Sequence, residues 1–130
     1  METNMVGWFE IPVHDMERAV AFYNEVFQIT ISVHELGALT MGWFPFAEDQ
    51  NRSGAAGSLV QHPEAYKPSS DQGVLVYFNS RSGNLDDELG RVERAGGKVI
   101  QAKTQISEEY GYMALFLDSE GNRIALHSQA

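Results

Sequence analysis

The chain has 130 residues, with 18 Asp and Glu, 9 Lys and Arg and no Cys, so its formal net charge at pH 7 is −9. Without Cys, a disulfide framework, a zinc ribbon, an iron–sulfur site and a thiol nucleophile are excluded. The acidic balance argues against nucleic acid and anionic membranes as partners, because both select basic patches. A hydrophobic content of 43% is enough for one folded domain.

The N-terminal residues 1–5 carry no basic segment, and no apolar run approaches the ~20 residues that a membrane helix needs. We therefore expect neither a signal peptide nor a membrane span. The absence of Cys also fits a reducing compartment. Together these features predict a cytoplasmic protein.

The first part of the chain predicts a strand, a helix and three more strands. Residues 6–13 are rich in aromatic and β-branched side chains, which is typical of a strand. Asp15 is a suitable helix N-cap, and the apolar residues of segment 16–27 recur at the spacing of one helix face. The elements that follow are predicted as strands at 28–34, 39–46 and 58–62, with a polar, Gly-rich loop at 47–57.

The same pattern then begins again. Residues 63–73 contain two prolines and several turn-forming residues, and we predict that they form a linker. After a predicted strand at 74–78, Asn84 can cap a second helix over residues 85–96. The remaining elements are predicted as strands at 98–102, 110–117 and 123–128, with an Asp-, Gly- and Asn-rich turn at 118–122.

The predicted order is therefore βαβββ, linker, βαβββ within a single domain, 1–130. Module 1 covers about residues 5–62 and module 2 about 74–128, and the second copy begins about 66 residues after the first when Trp8 is compared with Val74. Each module has one helix for four strands. The helix can cover only one face of the sheet, so the other face must form a cup or pack against a partner.

Two motifs in this arrangement resemble the vicinal oxygen chelate superfamily of glyoxalase I, bleomycin-resistance proteins and extradiol dioxygenases. The first is WFEIPV at 8–13 followed by DMERA at 15–19 and FYNEVF at 22–27, with Gln28 in place of the usual Gly. The second is FLDSEGNRI at 116–124, with Ser119 in place of the usual Pro. The resemblance implies an α+β fold in which two βαβββ modules form a cup-shaped mixed sheet, and it implies a homodimer.

The resemblance also implies a metal site, with His, Glu or Gln ligands on the first and last strands of each module. By motif alignment these positions fall on Trp8, near Ser58, on Val74 and on Ala125. Trp, Val and Ala cannot ligate a metal, and a lone Ser is a poor ligand. We therefore predict no metal and no cofactor at the family's site, and neither glyoxalase nor dioxygenase activity by that route. A displaced divalent metal would need His62, Glu10 or His127.

Strand alternation sorts the side chains that would face the cup. This face is predicted to be apolar with a few polar groups, which is the usual form of a small-molecule site. Four roles for Glu10 stay open: a ligand anchor, a general base with His127 as its partner, a structural ion pair with Arg123 or His127, or exposure at a dimer interface. The residues predicted to bind the ligand are Trp8, Glu10, Ser58, Val60, Val74, Val76, Arg123, Ala125 and His127, and Phe78 is predicted to face the same cup.

Three functions follow from these observations. The first is a metal-free protein that binds a small organic molecule in the cup. The second is a lyase, isomerase or hydrolase that uses Glu10 as base or a displaced metal site. The third is an interaction domain whose cup is filled by its own side chains. Because fold does not fix function, the choice between them depends on the site.

Overall fold

The computed structural model describes residues 4–47 and 54–130, which form two βαβββ modules. Residues 48–53 of the predicted loop lie outside the described residues. The first module consists of β1 (Trp8–Pro12), α1 (Met16–Phe27), β2 (Ser32–Leu36), β3 (Leu39–Trp43) and β4 (Ala56–Gln61). The second consists of β5 (Tyr77–Asn79), α2 (Leu85–Val92), β6 (Lys98–Ser107), β7 (Gly111–Leu117) and β8 (Arg123–Ser128).

Each module contributes one four-stranded mixed sheet. The strand orders are β1-β4-β3-β2 and β5-β8-β7-β6. Within each sheet the first and last strands of the module pair in parallel, and the other neighbours are antiparallel. The predicted α+β fold with two βαβββ modules is confirmed. In this topology β1 and β5 are edge strands of their sheets among the described residues.

The helices begin at the predicted caps. The Asp15 side chain accepts the Arg18 N–H at 3.1 Å, and Asn84 accepts the Asp86 N–H at 3.1 Å. At the end of α1, Gln28 adopts the left-handed conformation with φ of 55° and donates its backbone N–H to Asn24. This position therefore needs the conformation that Gly adopts most easily. No helix in the described part of the chain is long and apolar enough to cross a lipid bilayer.

Several predicted strand boundaries were wrong. The second strand begins at Ser32 instead of residue 28, because Gln28 ends the helix and the Ile31 N–H bonds to the Asn24 side chain. The fourth strand begins at Ala56, inside the predicted loop. The second helix ends at Val92 rather than 96. The sixth strand continues to Ser107, because it pairs with β7 over its length, with register shifts along the way.

The largest correction concerns the fifth strand and the repeat offset. Val74 is 92% exposed and precedes β5, whose ladder with β8 pairs Tyr77 with Ala125. The equivalent ladder of module 1 pairs Trp8 with Ala56. Tyr77 follows Trp8 by 69 residues (77 − 8), and Ala125 follows Ala56 by 69 residues (125 − 56). The two N-caps, Asp15 and Asn84, are also 69 residues apart (84 − 15). The repeat offset is therefore 69 rather than 66, and Tyr77, not Val74, is the counterpart of Trp8.

Phe78 of β5 is the counterpart of Phe9 at the same offset, and its side chain packs into the core of module 1. Its ring lies 5.6 Å from Phe9, 4.9 Å from Phe27 and 5.4 Å from Phe44, between ring centroids. Module 2 thus inserts one aromatic side chain into the core of module 1. Because successive strand residues point to opposite faces, Tyr77 and Asn79 then point away from that core.

A second contact between the modules is made by the turn that precedes β8. The Glu120 carboxylate accepts the backbone N–H groups of His14 and Asp15, both at 2.8 Å. It also accepts two bonds from the Arg18 guanidinium, at 2.6 and 2.9 Å. The Glu120 side chain is fully buried. It therefore holds the start of α1 through charge-assisted hydrogen bonds.

Two neighbours of Glu120 complete this contact, and we call Asp118, Glu120 and Asn122 the inter-module clasp. Asp118 accepts the Tyr23 hydroxyl at 2.7 Å and the backbone N–H groups of Glu120 and Asn122. The Asn122 amide donates to the Pro12 carbonyl at 2.7 Å. The turn thereby fixes both the end of β1 and one face of α1 in module 1.

The clasp carboxylates have shifted pKa values in opposite directions. Burial raises the pKa of Asp118, although hydrogen bonds from Tyr23 and Asn122 act against that rise. Burial also acts to raise the pKa of Glu120, but the Arg18 hydrogen bond and the N–H groups of Asp15 and His14 outweigh it, so the pKa is lowered from 4.5. Burial and the nearby Asp118 raise the pKa of the Tyr23 hydroxyl well above 10.0, which keeps it a donor.

We expect Glu120→Gln to lower the free energy of unfolding at pH 7 by about 2 kcal/mol, because hydrogen bonds to a charged acceptor are lost. The folded pKa of Glu120 lies below its ordinary value of 4.5. The stabilisation that depends on the Glu120 charge is therefore complete above pH 4.5, and it is lost as the pH falls through the folded pKa. Urea unfolding of both proteins across that range measures it.

The matched control is Glu108→Gln, which removes one exposed charge from the turn before β7. It should leave the unfolding free energy nearly unchanged. A difference between the original chain and Glu120→Gln that stays constant from neutral to acidic pH would contradict the role given to the Glu120 charge.

Candidate functional site

An open groove of about 800 Å³ lies between β1 and β5, the edge strands of the two sheets. We call it the β1–β5 groove. Its volume lies in the range of about 300–1,000 Å³ that is typical of small-molecule sites. Its lining comprises residues 6, 8–12, 27, 29, 44–45, 54–56, 67, 69, 73–79, 81 and 122–124.

Most of the groove wall is apolar. Phe9 and Phe78 line it and contact each other edge to face, one from each module. Phe44, Ile124 and Val76 add further apolar surface. Trp8 lies on the rim and is 44% exposed. Aromatic and aliphatic side chains held by two sheets can enclose the body of an organic ligand with little rearrangement.

Glu10 lies on β1 at the groove and is exposed. The Tyr66 hydroxyl donates to one of its carboxylate oxygens at 2.6 Å, and the Trp8 indole N–H donates to the other at 3.2 Å. The predicted alternative of an ion pair with Arg123 or His127 is therefore wrong. The reason is that the linker folds back over β1, which brings Tyr66 within reach.

The contact with Glu10 also changes the chemistry of Tyr66. The pKa of the Tyr66 hydroxyl is raised from 10.0, chiefly because the hydroxyl donates a hydrogen bond to the Glu10 carboxylate. At neutral pH this hydroxyl is accordingly a fixed donor. Both oxygens of Glu10 have donors, and this arrangement suits an anchor whose position is fixed.

The predicted catalytic partner of Glu10 does not lie beside it. His127 Nε2 lies 2.6 Å from the Tyr110 carbonyl oxygen, at the start of β7. His62 also has local partners, since its Nδ1 accepts the N–H groups of Glu64 and Ala65. Neither histidine lines the groove among the described residues. The structure therefore brings together no acid–base pair of the predicted kind.

The other predicted binding residues fall into two groups. Those that line the groove are Trp8, Glu10, Val74, Val76 and Arg123. Ser58, Val60 and Ala125 are fully buried in the sheets, and the Ser58 hydroxyl donates to the carbonyl groups of Gly42 and Leu59. With His127, these three do not line the groove. Their role in binding stays a prediction.

Some lining residues were not identified from the sequence. Ala56 pairs with Trp8 and Tyr77 pairs with Ala125 in the two equivalent ladders, and both Ala56 and Tyr77 line the groove. Comparing the two N-caps, instead of Trp8 with Val74, would have given the correct offset. Lys67 and Arg81 also line the groove. No signal in the sequence pointed to them, because one lies in the linker and the other follows β5.

The resemblance assigns metal-ligand positions to Trp8 and Ala125, and the repeated ladders give Tyr77 as the counterpart of Trp8 and Ala56 as the counterpart of Ala125. An indole, two methyl groups and a phenol stand where His, Glu or Gln would be needed, so this donor set does not fit the metal. Among residues 4–47 and 54–130, no group of three or more His, Asp or Glu side chains could hold a metal ion.

Comparison with known proteins identifies the family. A sequence model of the Glyoxalase/Bleomycin resistance protein/Dioxygenase superfamily matches residues 5–126. The chain belongs to this superfamily, and the resemblance drawn from the two motifs is confirmed. No curated protein matches the chain.

Solved structures share this fold at low sequence identity. Glyoxalase I from Zea mays matches with a TM-score of 0.68 at 14% identity, over 94% of this chain and 45% of that chain. TnmS3, an antibiotic binding protein from Streptomyces sp. CB03234, matches with a TM-score of 0.66 at 22% identity, over 100% of this chain and 99% of that chain. The fosfomycin resistance protein FosX from Listeria monocytogenes matches with a TM-score of 0.65 at 15% identity, over 100% of this chain and 94% of that chain. The chain spans less than half of the maize enzyme.

We expect Glu10→Gln to lower the titration midpoint of Tyr66 toward the ordinary value of 10.0, because the charged acceptor is removed. Ring-labelled tyrosine followed by NMR across alkaline pH measures the midpoint, and Tyr66→Phe assigns the signal. A Tyr66 midpoint that is the same in both proteins would contradict the contact.

Proposed function

We propose that this protein binds a small organic molecule in the β1–β5 groove and does so without the metal used elsewhere in its family. The observation that carries the proposal is the groove itself, with a volume of about 800 Å³ and largely apolar walls supplied by both modules. An open groove of this size also weakens the alternative of a cup filled by its own side chains.

The metal-free part of the proposal is supported by the four ladder positions. Trp8, Ala56 and Ala125 offer no ligand atom, and Tyr77 offers one phenol oxygen. Elemental analysis of the purified protein tests this point. We expect far less than one transition metal ion per chain, and a value near one that survives dialysis would overturn the metal-free proposal.

A lyase or isomerase that uses Glu10 as base is the second candidate, because this carboxylate lies on the groove wall. The hydrogen bonds from Tyr66 and Trp8 hold both carboxylate oxygens in place, and this fixed position favours an anchor. The cytoplasmic location and the absence of a nucleic-acid partner stay predictions from composition.

The homodimer is likewise a proposal. Its support is the set of large apolar side chains that remain exposed on module 2, where Tyr77, Ile100, Ile106 and Tyr110 are each 43–60% exposed. Clusters of exposed apolar side chains commonly mark an interface.

Light scattering coupled to size-exclusion chromatography should give the mass of two chains. Ile106→Lys should shift the protein toward the mass of one chain, because a charge would be buried in the contact. Lys98→Glu, on the same strand, is the matched control for a surface charge change. A single-chain mass for the original protein at micromolar concentration would contradict the dimer.

We expect the neutral dye N-phenyl-1-naphthylamine to bind the groove and to gain fluorescence there. Ala56→Trp should weaken this binding about tenfold or more, because Ala56 lines the groove and the larger ring fills it. Fluorescence titration measures the dissociation constant.

Ala21→Trp is the matched control, since Ala21 lies on the exposed face of α1. It should leave the dissociation constant unchanged, and thermal unfolding curves should show that both variants are folded. If the original chain binds no dye, or if both tryptophan variants weaken binding equally, the groove is not the binding site.

A further inference from the structure

Most charged residues that line the β1–β5 groove are positive, although the chain has a net negative charge. The whole sequence has 18 carboxylates and only 9 Lys and Arg residues. Yet three cationic side chains, Lys67, Arg81 and Arg123, line the groove, and Glu10 is the carboxylate that lines it among the described residues. Scarce positive charge is therefore concentrated at the site.

Within residues 4–47 and 54–130, no carboxylate forms an ion pair with the groove cations. The three ion pairs in the described part of the chain use Arg18, Arg94 and Lys103. The carboxylate of Glu10, which lines the groove among the described residues, is itself engaged, since the hydroxyl of Tyr66 and the indole of Trp8 donate to its two oxygens.

Arg123 is the cation best placed to contact a ligand. It begins β8, and its backbone N–H donates to the Ser69 carbonyl, which ties it to the linker. It is half-buried, whereas Lys67 and Arg81 are exposed. A half-buried guanidinium is less screened by water, and its planar fork matches the two oxygens of a carboxylate or sulfonate. Lys67 and Arg81 line the same groove and add positive charge to it.

We propose that the ligand of this groove is an organic anion, with an apolar body against Phe9, Phe78 and Val76 and an acidic group at Arg123. This inference rests on the proposed function, because it assigns the chemical class of the molecule that the groove binds. The net charge of −9 does not oppose it strongly. Charges elsewhere on the surface are screened beyond ~10 Å at 0.1 M salt, while contacts in the groove are direct.

Two dyes with the same ring skeleton test the proposal. 1-Anilinonaphthalene-8-sulfonate carries one sulfonate, and N-phenyl-1-naphthylamine lacks it. We expect the anionic dye to bind more tightly than the neutral dye, and its affinity to fall as salt is added. Arg123→Gln should weaken the anionic dye about tenfold and leave the neutral dye unchanged. Arg123→Lys should retain most of the affinity for the anion.

Lys98→Gln is the control for net charge, because Lys98 lies on β6, forms none of the ion pairs of the described residues and does not line the groove. It should not affect either dye. Equal affinity for the two dyes, or equal weakening of both by Arg123→Gln without recovery in Arg123→Lys, would overturn the anion proposal and leave the groove as a binding site. If neither dye binds the original chain, the proposed function fails and the anion proposal with it.

Discussion

The inter-module clasp is the contact on which the rest of the structure depends. Glu120 receives four hydrogen bonds from the start of α1, and Asp118 receives the Tyr23 hydroxyl. A buried carboxylate is costly unless it is fully paired, and here the charge of Glu120 is met by a guanidinium and two N–H groups. Since both partners lie in one chain, the clasp fixes how the two βαβββ modules meet.

The groove follows from that geometry. Asn122 holds the end of β1 through the Pro12 carbonyl and also accepts the Ser69 N–H of the linker. Phe78 inserts from β5 into the aromatic core of module 1. These contacts bring the two edge strands close together without pairing them, and the space between them is the β1–β5 groove. The groove is thus a consequence of how the two repeated units are joined.

Charge in this protein has two separate roles. The excess of carboxylates gives the surface a strong negative charge, which favours solubility. Within the groove the sign is reversed, because Lys67, Arg81 and Arg123 come together from the linker, from the segment after β5 and from β8. The amino-acid composition alone does not show that the charge in the groove has the opposite sign to the net charge. The character of a ligand has to be inferred from the charges that line its site.

Local patterns in the sequence were sufficient for the element order, for both N-caps and for the family. Asp15 and Asn84 act through neighbours within three residues, and the two motifs are contiguous. For the site they were only partly sufficient. Trp8, Glu10, Val74, Val76 and Arg123 were identified and do line the groove, whereas the partners of Glu10 and the cations at 67 and 81 were not.

By itself, then, the sequence determined the two-module α+β fold and both helix N-caps, because each depends on residues and their near neighbours. Only the tertiary structure decided which residues of β5 pair with β8 and where the groove lies. A strand of three residues is too short to show its own alternation, and a shift of one residue exchanges its faces. Contacts such as Glu120 with Arg18 join residues far apart in the chain, so no local pattern could predict them.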